Sequence, residues 1–268
     1  MDQVLERVDR EQLGCRSDLA NRTVWPKGQL NLFLRGESTR ATETTLHNGT
    51  FSVRVFSLAC AADWQLATKI VENVGRLAGG VISSDVGECD ADNLTTLVPE
   101  GWRDRQAASG IKAVAGLIGD GRGPVDIPGP IRSFFVGERM LKNLDAGSEE
   151  ATIAAWFAAM RRVQWFGESE CEHFGGLFEA SSPDSNKTFQ IAFWIPAEAW
   201  GMPAVQYVGV SAKEDDGGVL IIPAEAVEKV AVGQWEWLDE KQRVVYGFDE
   251  AAWPALRKQA ASFAVQPK

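Results

Sequence analysis

Cys171 and His173 stand two residues apart in Ser169-Glu170-Cys171-Glu172-His173-Phe174, the densest run of reactive side chains in the chain. On a strand they project from one face and Glu170 and Glu172 from the other, so a Cys-His thiolate pair is geometrically conceivable. Cysteine enzymes ordinarily draw the two groups from separate segments, and no helix N-terminus precedes Cys171 to lower its pKa. The only other histidine, His47, flanks Asn48-Gly49. That dipeptide tolerates positive φ at both corners of a type I′ hairpin, which places His47 at an exposed tip. Zinc is not implied. A closed site needs about four ligands, and the four cysteines, at positions 15, 60, 89 and 171, are far apart and form no CxxC pair. They fit reduced thiols that pack as small hydrophobes.

Asp85, Glu88, Asp90 and Asp92 fall within eight residues, and short-spaced carboxylates are what a hard cation such as calcium requires. The spacing lacks the D-x-D-x-D-G run and the twelfth-position glutamate of an EF-hand, so a solvated acidic loop is expected. Residues 119–124, Gly-Asp-Gly-Arg-Gly-Pro, resemble a phosphate cradle only in composition. A strand and not a helix follows Pro124, and there is no Walker lysine, so the expectation is a turn. No pair of carboxylates stands out by spacing, although hydrolysis by two carboxylates that meet in the fold stays open.

Ten tryptophans are the other unusual feature. Trp64, Trp156, Trp165 and Trp253 lie in or beside amphipathic helices, where packing explains them. Trp235 and Trp237 lie two apart on a strand and share a face. If that face is covered, the pair is structural; if open, it is a rigid contact surface of the kind enriched at binding hot spots. Trp194 and Trp200, on either side of Pro196, pose the same question.

The net charge of -10, from 37 acidic and 27 basic residues with no basic block, argues against nucleic acid and anionic membrane as partners. It suits a basic protein partner. No run of about 18 apolar residues exists, and the charged N-terminus lacks an apolar h-region, so a cytoplasmic location is expected.

The scaffold for these side chains centres on residues 50–84. Phe51, Val53 and Val55 alternate with Ser52 and Arg54 as in a strand. Ala67, Ile70, Val71, Val74, Leu77 and Ala78 then follow helical spacing, with Asp63 as N-cap and Gly79-Gly80 as the stop before Val81-Ile82. Because these glycines follow the helix, they cannot expose amides to a phosphate. Upstream, residues 1–12 suggest a short helix, 13–28 a loop, and 30–35 and 40–46 strands. Downstream, 94–118 suggests a helix interrupted at Gly110, or a strand over 111–118. Strands at 125–127 and 131–136 and a helix at 138–144 precede a turn cluster at 145–148. Ser148 caps a helix that buries Ile153, Trp156, Phe157, Met160 and Val163.

From residue 175 the pattern is of antiparallel hairpins: 175–180 with 188–195, 205–212 with 218–222, and 234–238 with 243–248. Phe189, Ile191, Phe193 and Ile195 share a face. A short helix follows Pro223, and the last helix is capped by Asp249 with Phe248 and Trp253 as a staple.

The expected fold is α+β: two lobes of mixed or antiparallel sheet flanked by helices, residues 1–145 and 149–268, or one continuous domain. No family motif is matched residue by residue, and no cofactor or metal is implied. The acidic balance, the Trp-rich strands and the lack of a catalytic set favour a cytoplasmic protein-binding protein, most concretely an inhibitor or immunity protein that neutralises a basic toxin or enzyme. Asp85, Glu88, Asp90, Asp92, Glu214, Asp215, Asp216, Trp235 and Trp237 are its candidate contact residues. The alternatives are an enzyme using carboxylates or Cys171 and His173, and a small-ligand or sugar-binding module using exposed indoles.

Overall fold

The computed structural model describes residues 3–6, 8–15, 25, 28–98, 101–166, 173–181, 187–211 and 218–266. The chain is α+β and divides into two units, Met1–Trp165 and Phe166–Lys268. The division falls after the helix that the sequence assigns to the second lobe. That helix packs its Ile153 and Phe157 against Ala107, Ala108 and Ile111 of the first unit.

In the first unit, β1 (Leu13–Cys15), β2 (Gly28–Leu34), β3 (Thr42–His47) and β4 (Thr50–Arg54) form an antiparallel sheet in chain order. Asn48 and Gly49, with φ of 49° and 79°, make the expected type I′ turn. Residues 13–15 are a strand where a loop was expected, because Leu13, Gly14 and Cys15 find ladder partners on β2. Residues 3–6 are turns and not a helix, although Leu5 and Val8 are buried as expected.

Helix α1 (Ala61–Ala78) lays Leu66 and Ile70 against Leu30 and Leu32 of the sheet, its amphipathic stripe closing the core. Its N-cap is Cys60, not Asp63. Asp63 is the third helical residue, and its carboxylate turns back to accept the Cys60 amide at 2.9 Å. Gly79, in the left-handed region, ends the helix.

A two-stranded hairpin follows, β5 (Ile82–Ser84) with β6 (Gly87–Cys89), and then a 3-10 turn at Leu94–Leu97. Helix α2 (Trp102–Gly119) runs unbroken through Gly110. The break expected there is absent because Gly110 faces Leu58, whose side chain would stand 3.2 Å from an added Cβ; the glycine serves close packing. The antiparallel pair β7 (Val125–Pro128) and β8 (Ser133–Val136) confirms the turn reading of residues 119–124. Helices α3 (Glu138–Leu144) and α4 (Glu149–Trp165) complete the unit.

Among the described residues, the second unit has two four-stranded sheets. Its strands are β9 (His173–Phe174), β10 (Phe178–Ser181), β11 (Thr188–Trp194), β12 (Ala197–Met202), β13 (Tyr207–Val210), β14 (Leu220–Pro223), β15 (Trp235–Trp237) and β16 (Arg243–Phe248). The sheet orders are β10-β11-β13-β14 and β15-β16-β12-β9. The three expected hairpins are present, but both sheets are mixed: β11 pairs with β13, and β9 with β12, in parallel. Strand β12 was not legible in the sequence, since Ala-Glu-Ala-Trp-Gly-Met carries no alternation of apolar and polar residues.

One core joins the sheets to α5 (Val227–Val230) and α6 (Trp253–Ala260). Its centre is aromatic. Trp194 stacks on Trp200 at 5.5 Å and meets Trp253 and Phe248 edge-on. Trp194 and Trp200 are thus core residues. Ala192 and Trp194 point inward from β11, so Phe189, Ile191 and Phe193 share the opposite face, beside Phe178 and Tyr207.

Candidate functional site

The acidic stretch 85–92 is built as a small hairpin on α1. Its docking depends on Gly75, because a Cβ there would meet Ile82 Cδ1 at 2.8 Å and Ala91 Cβ at 3.1 Å. The Ser84 hydroxyl accepts the Val86 amide and shapes the tip.

The four carboxylates then separate into two pairs. Asp90 Oδ1 accepts the amides of Asp92 and Asn93, each at 3.0 Å, and the Asn93 side-chain amide at 2.8 Å. Asp92 lies 3.4 Å from Arg76, which also pairs with Glu72 at 2.6 Å. These two hold the hairpin's exit in place. Asp85 and Glu88 are exposed and enter no hydrogen bond or ion pair among the described residues. Val81 and Val86, 72% and 53% exposed, sit beside them. No group of three or more His, Cys, Asp or Glu that could hold a metal ion occurs among the described residues.

Behind the hairpin lies a cleft of about 420 Å³ between β4, α1, the hairpin, the Leu94–Leu97 turn and the start of α2. Val53, Val71, Ile82, Leu97 and the indoles of Trp64 and Trp102 give it an apolar lining, and Asp85, Arg54, Thr68, Ser83 and Ser84 supply its polar groups. The two indoles meet edge to face at 5.1 Å. This cleft was missed in the sequence, where Trp64 counts as a packing residue. Trp102 carried a signal: an indole in Gly-Trp-Arg-Asp-Arg, among charges, is placed to meet a surface.

Trp235 and Trp237 do share a face of β15, and that face is half-buried, with Trp235 packed against the core. They meet edge-on at 5.4 Å, and Arg243, opposite Trp237 in the β15–β16 register, lays its guanidinium 4.1 Å from the Trp237 ring. Arg243 is itself only 8% exposed and donates to Glu228 at 2.7 Å and to the Ala224 carbonyl at 3.3 Å. Trp237 and Arg243 line a pocket of about 400 Å³ with Gln190, Met202, Glu240 and Lys241, whose buried cation is already neutralised by Glu228.

Glu214, Asp215, Asp216 and Cys171 lie outside the described residues. His173 is exposed on β9, and His47 is exposed at the β3–β4 hairpin.

Two buried ionisable groups sit at the start of α1. Burial, reinforced by the Asp63 carboxylate, pushes the Cys60 thiol up, and it donates to the Glu37 carbonyl at 3.3 Å; this is the opposite of an activated thiolate. Burial also raises Asp63, against hydrogen bonds from Ser38, Arg40, Cys60 and Thr39. Neither lines the cleft.

Comparison of the chain with protein-family models, with curated proteins and with solved structures gives no match in any of the three.

Proposed function

We propose that the chain is a protein-binding protein that captures a basic partner in the cytoplasm, most concretely an inhibitor or immunity protein for a basic toxin or enzyme. The observation that carries this reading is the β5–β6 hairpin. It presents two unengaged carboxylates, Asp85 and Glu88, beside the exposed apolar side chains of Val81 and Val86. Apolar contact supplies the affinity of such a patch, and unpaired charge at its rim supplies orientation and speed of encounter. The net charge of -10 acts in the same direction at longer range.

The test is size-exclusion chromatography and stopped-flow mixing with the basic proteins encoded beside the gene, at low and moderate salt. A stable complex is expected. Its association rate should fall with salt, and the double substitution Asp85→Asn, Glu88→Gln should slow it roughly tenfold. Absence of a complex at both salt concentrations would overturn the proposal.

A further inference from the structure

We infer that the cleft behind the hairpin is an anchor pocket for one large apolar side chain of the partner, flanked in the partner's sequence by lysine or arginine that meets Asp85 and Glu88. This rests on the proposed capture of a basic protein and names the chemistry of the segment captured.

The choice of an apolar anchor over a cationic one follows from what surrounds the cleft. Its walls come from Val53, Trp64, Val71, Ile82, Leu97 and Trp102, so an entering apolar side chain exchanges water for carbon on most sides. Two perpendicular indoles taken alone would also suit a cation. The local electrostatics oppose one. Arg54 is part of the lining, Arg103 already stands 5.9 Å from the Trp64 ring, and Trp102 begins α2, whose first-turn amides carry partial positive charge with no side-chain cap and only Asp104 in that turn to offset it. A cation inside the cleft would face all three against the single carboxylate of Asp85, whereas one outside it, at the hairpin, would meet Asp85 and Glu88 together. Apolar inside and basic outside is therefore the complementary pattern. A buried aromatic or leucine with charged neighbours at its rim is also the usual composition of an interface hot spot.

Three short peptides separate the components: acetyl-Lys-Trp-Lys-amide, acetyl-Lys-Ala-Lys-amide and acetyl-Glu-Trp-Glu-amide, titrated into the full chain while the indole N–H resonances of Trp64 and Trp102 are followed by NMR. The first peptide should shift both resonances saturably, and the other two should bind roughly tenfold more weakly. Thr68→Trp, which fills the cleft, should abolish these shifts. In the partner complex it should weaken affinity through faster dissociation, leaving the salt dependence of association in place. If Thr68→Trp does not fold, Leu97→Ala, which enlarges the cleft, should weaken the Lys-Trp-Lys peptide and leave the Lys-Ala-Lys peptide unchanged. Equal binding of the first two peptides, or a partner complex indifferent to both substitutions, would overturn the anchor while leaving capture of a basic partner standing. Failure of the wild-type chain to bind any basic partner would remove the larger reading by a separate measurement.

Discussion

Asp63 Oδ2 accepts four hydrogen bonds, from the Thr39 amide at 3.2 Å, the Thr39 hydroxyl at 3.0 Å, the Arg40 amide at 3.1 Å and the Cys60 amide at 2.9 Å. One fully buried carboxylate thereby ties the connection between β2 and β3 to the start of α1. Asp63→Ala leaves the Thr39 and Arg40 amides without their carboxylate acceptor, while the Thr39 hydroxyl keeps the Leu58 carbonyl and the Cys60 amide keeps the Thr39 hydroxyl. The expected loss is about 3 kcal/mol or more, read from the urea midpoint. Asp63→Asn isolates the charge. Burial holds the folded pKa above the usual carboxylate value of 3.8, so protonation is favoured on folding. The Asp63 contribution is therefore fully present below that value and is lost as pH rises through the folded pKa. The stability of the wild type relative to Asp63→Asn should fall as the pH rises above 3.8; a rise would mean that the donors outweigh burial. A second expectation concerns Arg243. Glu228→Gln takes the carboxylate from a buried guanidinium that keeps the Ala224 carbonyl and the Trp237 ring, and Glu228 is itself 36% exposed, so the cost should be about 1–2 kcal/mol by thermal or urea unfolding. At this scale the sequence showed half of each arrangement. It marked Asp63 for the start of the helix and put Trp235 and Trp237 on one face. It could not show Thr39 arriving from 24 residues upstream, or Arg243 covering the indoles from the neighbouring strand.

Among the elements, the β5–β6 hairpin docks on a single small residue, Gly75. Gly75→Ala should raise the intrinsic helix propensity of α1 by up to about 1 kcal/mol, yet it places a methyl group 2.8 Å from Ile82 Cδ1. The expected outcome is unchanged helical circular dichroism with weakened partner binding, and a larger loss for Gly75→Val. Binding unaffected by Gly75→Val would dissociate the hairpin from function. Helices α1 and α4 and the hairpin at Asn48-Gly49 were legible because periodicity and turn chemistry are local: the stripe of α1, the Asn48-Gly49 corner and the Glu149-Glu150 start of α4 are all written within a few residues, whereas Gly110 disguised the unbroken α2 and the β5–β6 hairpin read only as an acidic loop. β1 and β12 were not, since a short strand without alternation is defined only by the partner it pairs with. The cleft was hidden for the same reason, being assembled from five separate elements. Its acidic rim, residues 85–92, was visible from the start.

At the scale of the whole molecule, each unit encloses a core of its own, Leu32, Leu66 and Ile70 in the first and Trp194, Trp200 and Trp253 in the second. A fragment of residues 166–268 should therefore fold alone, giving a dispersed NMR spectrum and a cooperative melt; a collapsed fragment without resolved resonances would show that the second core is incomplete without the first unit. Within the second unit, the course of the chain has a kinetic meaning. β12 belongs to one sheet, while the strands that precede and follow it, β11 and β13, pair in parallel in the other. Neither sheet can be completed until the segment between them has been committed to its counterpart, so the two are laced together by a single thread. Opening one should release the other. The amides of Val208 and Val245, one in each sheet, are expected to exchange with solvent hydrogen through the same rare event, as a single foldon.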